Sequence, residues 1–165
     1  MTGRLHQISI SPPPRGGVPK LAVHECRVTR DGLVGDWQND RKHHGGPERA
    51  VCVFSLEVIQ RVRAEGNPIG PGTTGENLTI EGIAWASVVP GVRLVIAGAA
   101  CGGGENGVEL EIASYAEPCA TIRDSFTQLK FKRIEQELHP GESRMYARVL
   151  REGVVRVGDS VRLAL

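Results

Sequence analysis

The sequence predicts a mainly β domain, closed into a mostly antiparallel barrel with a few peripheral helices. Three observations lead there. Short apolar or alternating runs recur along the chain, each bounded by Gly or Pro, and 21 glycines and 10 prolines in 165 residues supply that punctuation. Helical periodicity appears in only two stretches, without regular strand–helix–strand alternation, so an open α/β sheet is the weaker reading. Many short strands also leave edges that must be hidden, and closing the sheet removes them.

The elements follow in order. Leu5 to Ser11 alternates as a first strand, and Ser11-Pro12-Pro13-Pro14-Arg15-Gly16-Gly17 ends it, because proline cannot donate to a ladder. Leu21 to Val23 and Val28 to Val34 read as the next two strands, the latter turning at Asp31-Gly32. A polar loop runs from Gly35 to Pro47. Ala50 to Phe54 is continuously apolar, the pattern of a strand buried on both faces. Ser55 to Gly66 is the clearest helix, with Ser55 as N-cap, an apolar stripe of Leu56, Val58, Ile59 and Val62, and Gly66 as its stop. Strands follow at Glu76 to Ile80, Val92 to Ile96 and Val108 to Ala113, where Val, Leu and Ile alternate with Glu. Gly98 to Gly107 is a glycine-rich hairpin tip, a poor phosphate loop because no Lys-Ser/Thr follows it. A second helix is expected from about Thr121 to Leu138, broken by His139-Pro140-Gly141. Tyr146 to Leu150 and Val154 to Val157 read as a hairpin around Glu152-Gly153, and Val161 to Leu163 as the final strand.

One domain spanning residues 1–165 is expected, long enough to bury roughly 70% of its unfolded surface. The net charge of +1 implies neither nucleic acid nor a membrane surface as partner, and 4% aromatic residues argue against base-stacking platforms. No signal peptide or membrane-spanning run stands out, which places the protein in the cytoplasm with reduced thiols. The four cysteines form no Cys-x-x-Cys pair, which disfavours a zinc knuckle.

Cys119 is the candidate reactive thiol. Pro118 closes the preceding strand, and a helix beginning near Thr121 would put the sulfur at a helix N-terminus, where unpaired N–H groups favour thiolate. A buried structural cysteine is the bland alternative, and it is the simplest reading of Cys52 inside its apolar run. Other polar islands are Lys20, the stretch Gly35 to Arg49, and Gly75-Glu76-Asn77. Adjacent His43 and His44 point to opposite sides of an extended chain, so at most one is a ligand. Arg49 beside Gly45-Gly46 could bind a phosphate, although taken alone an exposed turn with a surface arginine is the favoured reading.

Taken together, Gly16-Gly17-Val18-Pro19-Lys20, Gly35-Asp36, His44-Gly45-Gly46-Pro47-Glu48-Arg49-Ala50-Val51, Gly75-Glu76-Asn77-Leu78-Thr79, Pro118-Cys119 and Gly158-Asp159 resemble the MOSC domain, the C-terminal domain of molybdenum cofactor sulfurases. The match spans nearly the whole chain in the family's order, and the length is similar to that of stand-alone bacterial members. The Gly98 to Gly107 segment matches no motif of that family. The resemblance implies a β-barrel and molybdenum cofactor (molybdopterin) chemistry, and it carries the family's association with pyridoxal phosphate. It makes Cys119 the catalytic residue, as metal ligand or as carrier of a sulfur atom; thiolate is a soft ligand suited to such a metal. Lys20, His44, Gly45, Gly46, Arg49, Gly75, Glu76 and Asn77 become the expected cofactor-binding set. Arg148, on a late strand, is added as a further cation for the pterin phosphate.

Three functions compete. The first is a molybdenum-cofactor oxidoreductase reducing N-hydroxylated compounds, whose electrons must come from a separate donor protein because no flavin or iron–sulfur motif is present. The second is a sulfur carrier bearing a Cys119 persulfide, loaded by a sulfur donor. The third is a non-catalytic β-barrel interaction module. Molybdenum with a fluorescent pterin, sulfane sulfur without metal, or neither would separate them on purification.

Overall fold

A computed structural model describes residues 2–37, 45–98 and 107–165. The strands are β1 (Thr2–Ile10), β2 (Leu21–Val23), β3 (Glu25–Thr29), β4 (Gly32–Leu33), β5 (Val51–Ser55), β6 (Leu78–Glu81), β7 (Arg93–Ala97), β8 (Val108–Tyr115), β9 (Met145–Arg151), β10 (Gly153–Arg156) and β11 (Ser160–Ala164). Seven of them close a barrel in the order β1-β6-β5-β9-β8-β7-β11, and β11 returns to β1. Every neighbouring pair is antiparallel except β5 and β6. The expected mostly antiparallel barrel is therefore what the chain forms.

The single parallel step has a local cause. Parallel neighbours need a crossover, and α1 (Leu56–Ala64) supplies it between β5 and β6. The Ser55 hydroxyl caps α1 by accepting from the Val58 amide at 3.3 Å, a contact worth about 1 kcal/mol. Gly66, at φ 99°, ends the helix. Leu56, Val58, Ile59 and Val62 are buried, at about 1.5–3 kcal/mol each. All five residues of β5 are buried, as the apolar run requires of a strand lying between the core and a covering helix.

β1 is long enough to serve three partners: β11 over Thr2–Arg4, β6 over Arg4–Ile8, and β2 over Ile8–Ile10. A second sheet, ordered β10-β3-β4, adds Cys26, Val28, Leu33 and Val155 to the same core. Among the described residues, no helix is long and apolar enough to cross a membrane.

Two expectations are corrected. β9 and β10 are not a hairpin: β9 pairs with β5 and β8, whereas β10 leaves the barrel to pair with β3. Glu152 marks the departure, its carboxylate accepting from the Arg30 amide at 2.8 Å in the turn after β3. The helix expected over Thr121–Leu138 is a chain of 3-10 segments at Ala120–Ser125, Thr127–Leu129 and Phe131–Ile134. Phe126 is extended, and Gln128 and Leu129 have positive φ. Tertiary contacts override helix propensity here. Thr127 is fastened to the end of α1, its amide to Asn67 at 2.9 Å and its hydroxyl to the Gly66 carbonyl at 2.6 Å. Arg133 bridges Glu65 and Glu142. The flanks of the Gly98 to Gly107 loop pair as β7 and β8; residues 99–106, Cys101 among them, lie outside the described residues.

Candidate functional site

A cleft of about 210 Å³ is lined by Lys20, Arg49, Gly75, Cys119, Arg144 and Tyr146, among others. The sequence gives these six residues five addresses: the approach to β2, the turn before β5, the loop before β6, the segment after β8, and the start of β9 for both Arg144 and Tyr146. The fold gathers them.

Cys119 is half-buried and has no disulfide partner. It is extended, at φ −134° and ψ 172°, and leads into the six-residue 3-10 segment. That segment is too short to carry the macrodipole expected of a long helix, so the thiol is set apart by its place in the cleft rather than by a helix end. Cys52 also lines the cleft but is buried, and burial pushes its thiol up to about 11. Tyr146, on β9, packs beside it, and burial raises its phenol to about 12. The Arg49 guanidinium lies 5.4 Å from the centre of the Tyr146 ring, a cation–π contact.

Lys20 lines the cleft with its charge already met. Its ammonium is 2.7 Å from Asp36, and both side chains are nearly buried. Asp36 also accepts from the Ser11 amide at 2.8 Å and from the Asn77 side-chain amide at 2.9 Å. Asn77 accepts in turn from the Cys52 amide at 3.0 Å and donates to the Ser9 carbonyl at 3.2 Å. The expectation that Asn77 belongs to the cofactor-binding set is thus corrected: its amide is buried behind the cleft and engaged by the protein. Glu76 is corrected in the same way. Wholly buried, it accepts from the Gly72 amide at 2.6 Å and from the hydroxyls of Thr74 at 2.7 Å and Thr79 at 3.3 Å. Gly75 is on the cleft wall at φ 83°, where a Cβ would stand 3.2 Å from Val18.

Gly45 and Gly46, both at positive φ, shape the turn that ends at Arg49 and do not line the cleft. His44 lies outside the described residues. Arg148 is not part of the cleft either; its guanidinium pairs with Glu48 at 3.1 Å and Glu111 at 3.2 Å. The arginine that sequence reasoning missed is Arg144, only 5% exposed, with Nη1 donating to the Thr74 carbonyl at 2.6 Å and Nη2 to the Glu117 carbonyl at 3.3 Å. Its Nε is buried without a hydrogen-bond partner among the described residues. The available signal was its place, directly before an apolar strand and three residues after Gly141 of the Pro140-Gly141 break.

Solved structures share this architecture. YuaD of Bacillus subtilis superposes with a TM-score of 0.74 at 17% identity, covering 99% of this chain and 96% of that one. YiiM of Geobacillus stearothermophilus gives 0.72 at 24% identity, over 99% of this chain and 75% of its own. YiiM of Escherichia coli gives 0.69 at 20% identity, over the whole of this chain and 70% of its own. These likenesses show the barrel fold. The MOSC domain model matches residues 40–162, and the chain belongs to that family, which is associated with molybdenum cofactor binding. In sequence, YflK of Bacillus subtilis (strain 168) is 28% identical over 150 residues, 90% of this chain; the chain spans 62% of the length of that relative.

Proposed function

We propose that the chain binds the molybdenum cofactor in this cleft, with Cys119 as the protein's ligand to the metal, and reduces N-hydroxylated compounds in the cytoplasm with electrons from a separate donor protein. The observation that carries the reading is the meeting of one accessible thiol with Arg49 and Arg144 around a single cleft. Among the described residues no group of three or more His, Cys, Asp or Glu can hold a metal, so a metal here needs ligands of its own besides Cys119. A pterin dithiolene brings such ligands, and its phosphate suits a cleft lined by guanidinium groups. The donor set therefore fits the group.

When bound, the cofactor supplies the two-electron chemistry. The chain's residues bind and orient. Arg49 and Arg144 set a positive potential for the phosphate, and Gly75 lets the main chain approach closely. Val18, Ile122 and Trp37 give the cleft its less polar wall, which limits water beside a bound substrate. Reduction of R–NHOH to R–NH2 and water consumes two electrons and two protons. Tyr146 lines the same cleft, and burial raises its phenol to about 12, so it stays protonated at neutral pH.

The test is composition before activity. Protein made in a host that synthesises the cofactor is assayed for molybdenum, for pterin fluorescence after oxidation, and for sulfane sulfur. Stoichiometric molybdenum and pterin in the wild type, lost in Cys119→Ser at a stability change of about 1 kcal/mol or less, is the expected result. Sulfane sulfur without molybdenum would assign Cys119 to sulfur carriage, and neither would leave a non-catalytic barrel.

A further inference from the structure

We infer that Glu76 and Arg144 are positioning residues that set the place of Cys119, although neither is adjacent to it in sequence. This rests on the reading of Cys119 as the working group of the cleft. The segment carrying Cys119 is fastened on both sides to one loop, residues 70–77. Upstream, Arg144 spans the gap: Nη1 donates to the Thr74 carbonyl at 2.6 Å and Nη2 to the Glu117 carbonyl at 3.3 Å, two residues before Cys119. The Ala116 amide adds a main-chain bond to the Arg144 carbonyl at 2.9 Å. Downstream, the Ser125 hydroxyl donates to the Thr73 carbonyl at 3.2 Å, and the Ile122 amide folds back on the Cys119 carbonyl at 3.1 Å. Consecutive carbonyls, Thr73 and Thr74, thus fix both ends of the Cys119 segment.

Such carbonyls locate a thiol only if their own loop is rigid, and Glu76 makes it so. Its carboxylate gathers the Gly72 amide and the Thr74 and Thr79 hydroxyls inside the protein. Thr73 closes the loop's other end through its amide to the Gly70 carbonyl at 3.1 Å and its hydroxyl to the same carbonyl at 2.8 Å. The loop also holds Lys20, whose amide donates to the Gly72 carbonyl at 2.9 Å, and a Cβ on Gly72 would stand 2.7 Å from the Lys20 carbonyl. One buried carboxylate therefore sets the separation between the Lys20 wall and the Cys119 wall. Arg144 transmits that setting because a planar guanidinium reaches two carbonyls at fixed spacing, which an ammonium does not.

The experiment uses the full, metal-free chain, so that it stands apart from whether molybdenum is bound. Site-resolved mass spectrometry follows alkylation of Cys119, with the buried Cys52 as internal reference, in wild type, Arg144→Lys, Glu76→Gln and the control Arg148→Lys. Urea denaturation is run in parallel. Freeing the segment should raise the Cys119-to-Cys52 rate ratio about tenfold in Arg144→Lys and in Glu76→Gln, and leave it unchanged in Arg148→Lys. Two variants keep the test alive if one fails to fold. A ratio unchanged in the folded variants, with both thiols simply following global stability, would overturn the inference. Loss of molybdenum binding in the wild type would overturn the cofactor reading and leave this result standing.

Discussion

Asn77→Ala separates a ligand-facing asparagine from an internal one. The side chain is 1% exposed and makes three bonds: from the Cys52 amide at 3.0 Å, to the Ser9 carbonyl at 3.2 Å, and to Asp36 at 2.9 Å. Truncation leaves the Cys52 N–H buried without an acceptor, at about 1–3 kcal/mol, and removes a bond to a charged group, at about 1.5–3 kcal/mol. Asp36 retains other partners, since the Lys20 ammonium and the Ser11 amide still hold it. The expected loss is therefore about 3–5 kcal/mol, a large share of the roughly 5–15 kcal/mol that holds a domain together. With a urea m-value near 2 kcal/mol/M, the midpoint should fall by about 2 M at unchanged slope. Cofactor content should fall with the folded fraction and no further. A loss below about 1 kcal/mol, combined with abolished cofactor binding in a folded protein, would refute the network account and return Asn77 to the ligand.

Two further outcomes follow from the titrating groups. Burial opposes ionisation of Glu142, but hydrogen bonds from Arg133 and Arg61 outweigh it and hold its carboxyl below the usual value; the Arg133 hydrogen bond lowers Glu65 likewise. Stabilisation from depressed carboxylates is complete above the unfolded value near 4.5 and is lost as pH falls through the folded one. The stability gap between wild type and Arg133→Gln should therefore shrink as pH falls below 4.5, from a starting size held to about 1–2 kcal/mol by solvent screening. A gap independent of pH would refute the assignment. Cys52 has the opposite sign. Its thiol is pushed from 9.0 to about 11, so the native state favours the proton, and its contribution is complete below 9.0 and lost as pH rises towards 11. Wild type should lose up to about 3 kcal/mol relative to Cys52→Ala across that interval, at about 1.36 kcal/mol for each pH unit crossed, and parallel curves would contradict it.

Most of the fold was legible because its signals are local. Alternation located the strands, and Ser55 and Gly66 bounded α1, since a cap and a stop act within one turn of the residues that cause them. Partnering was not legible. The period of two in Tyr146 to Leu150 and Val154 to Val157 says that each is a strand, but it carries no information about which neighbour each takes. Arg30, 122 positions from Glu152, receives the carboxylate where the chain leaves the barrel. Over Thr121–Leu138 the residues favour a helix in isolation, and what prevents it is held on α1 and its C-terminal turn, at Glu65, Gly66 and Asn67.

The site shows the same division. Cys119 was legible because Pro118 and the end of β8 isolate it, and Lys20 because its loop is polar between apolar strands. Gly75-Glu76-Asn77 was found as a group but given one role, whereas the three residues face three ways. Gly75 lines the cleft, Glu76 turns into its own loop, and Asn77 reaches across to Asp36 and Cys52. Adjacent residues of extended chain alternate in direction, so a contiguous motif seldom presents every side chain to one ligand. The choice of Arg148 over Arg144 fails on distance rather than direction. Arg144, Tyr146 and Arg148 are two apart and share a face of the chain entering β9, and the first two line the cleft. At about 3.3 Å per residue, Arg148 stands about 13 Å further along, where Glu48 and Glu111 hold it. Strand periodicity supplies the face, and only the loops that meet the strand supply the height. Here those are the carbonyls of Thr74 and Glu117, which lie 43 residues apart in sequence and meet at one guanidinium.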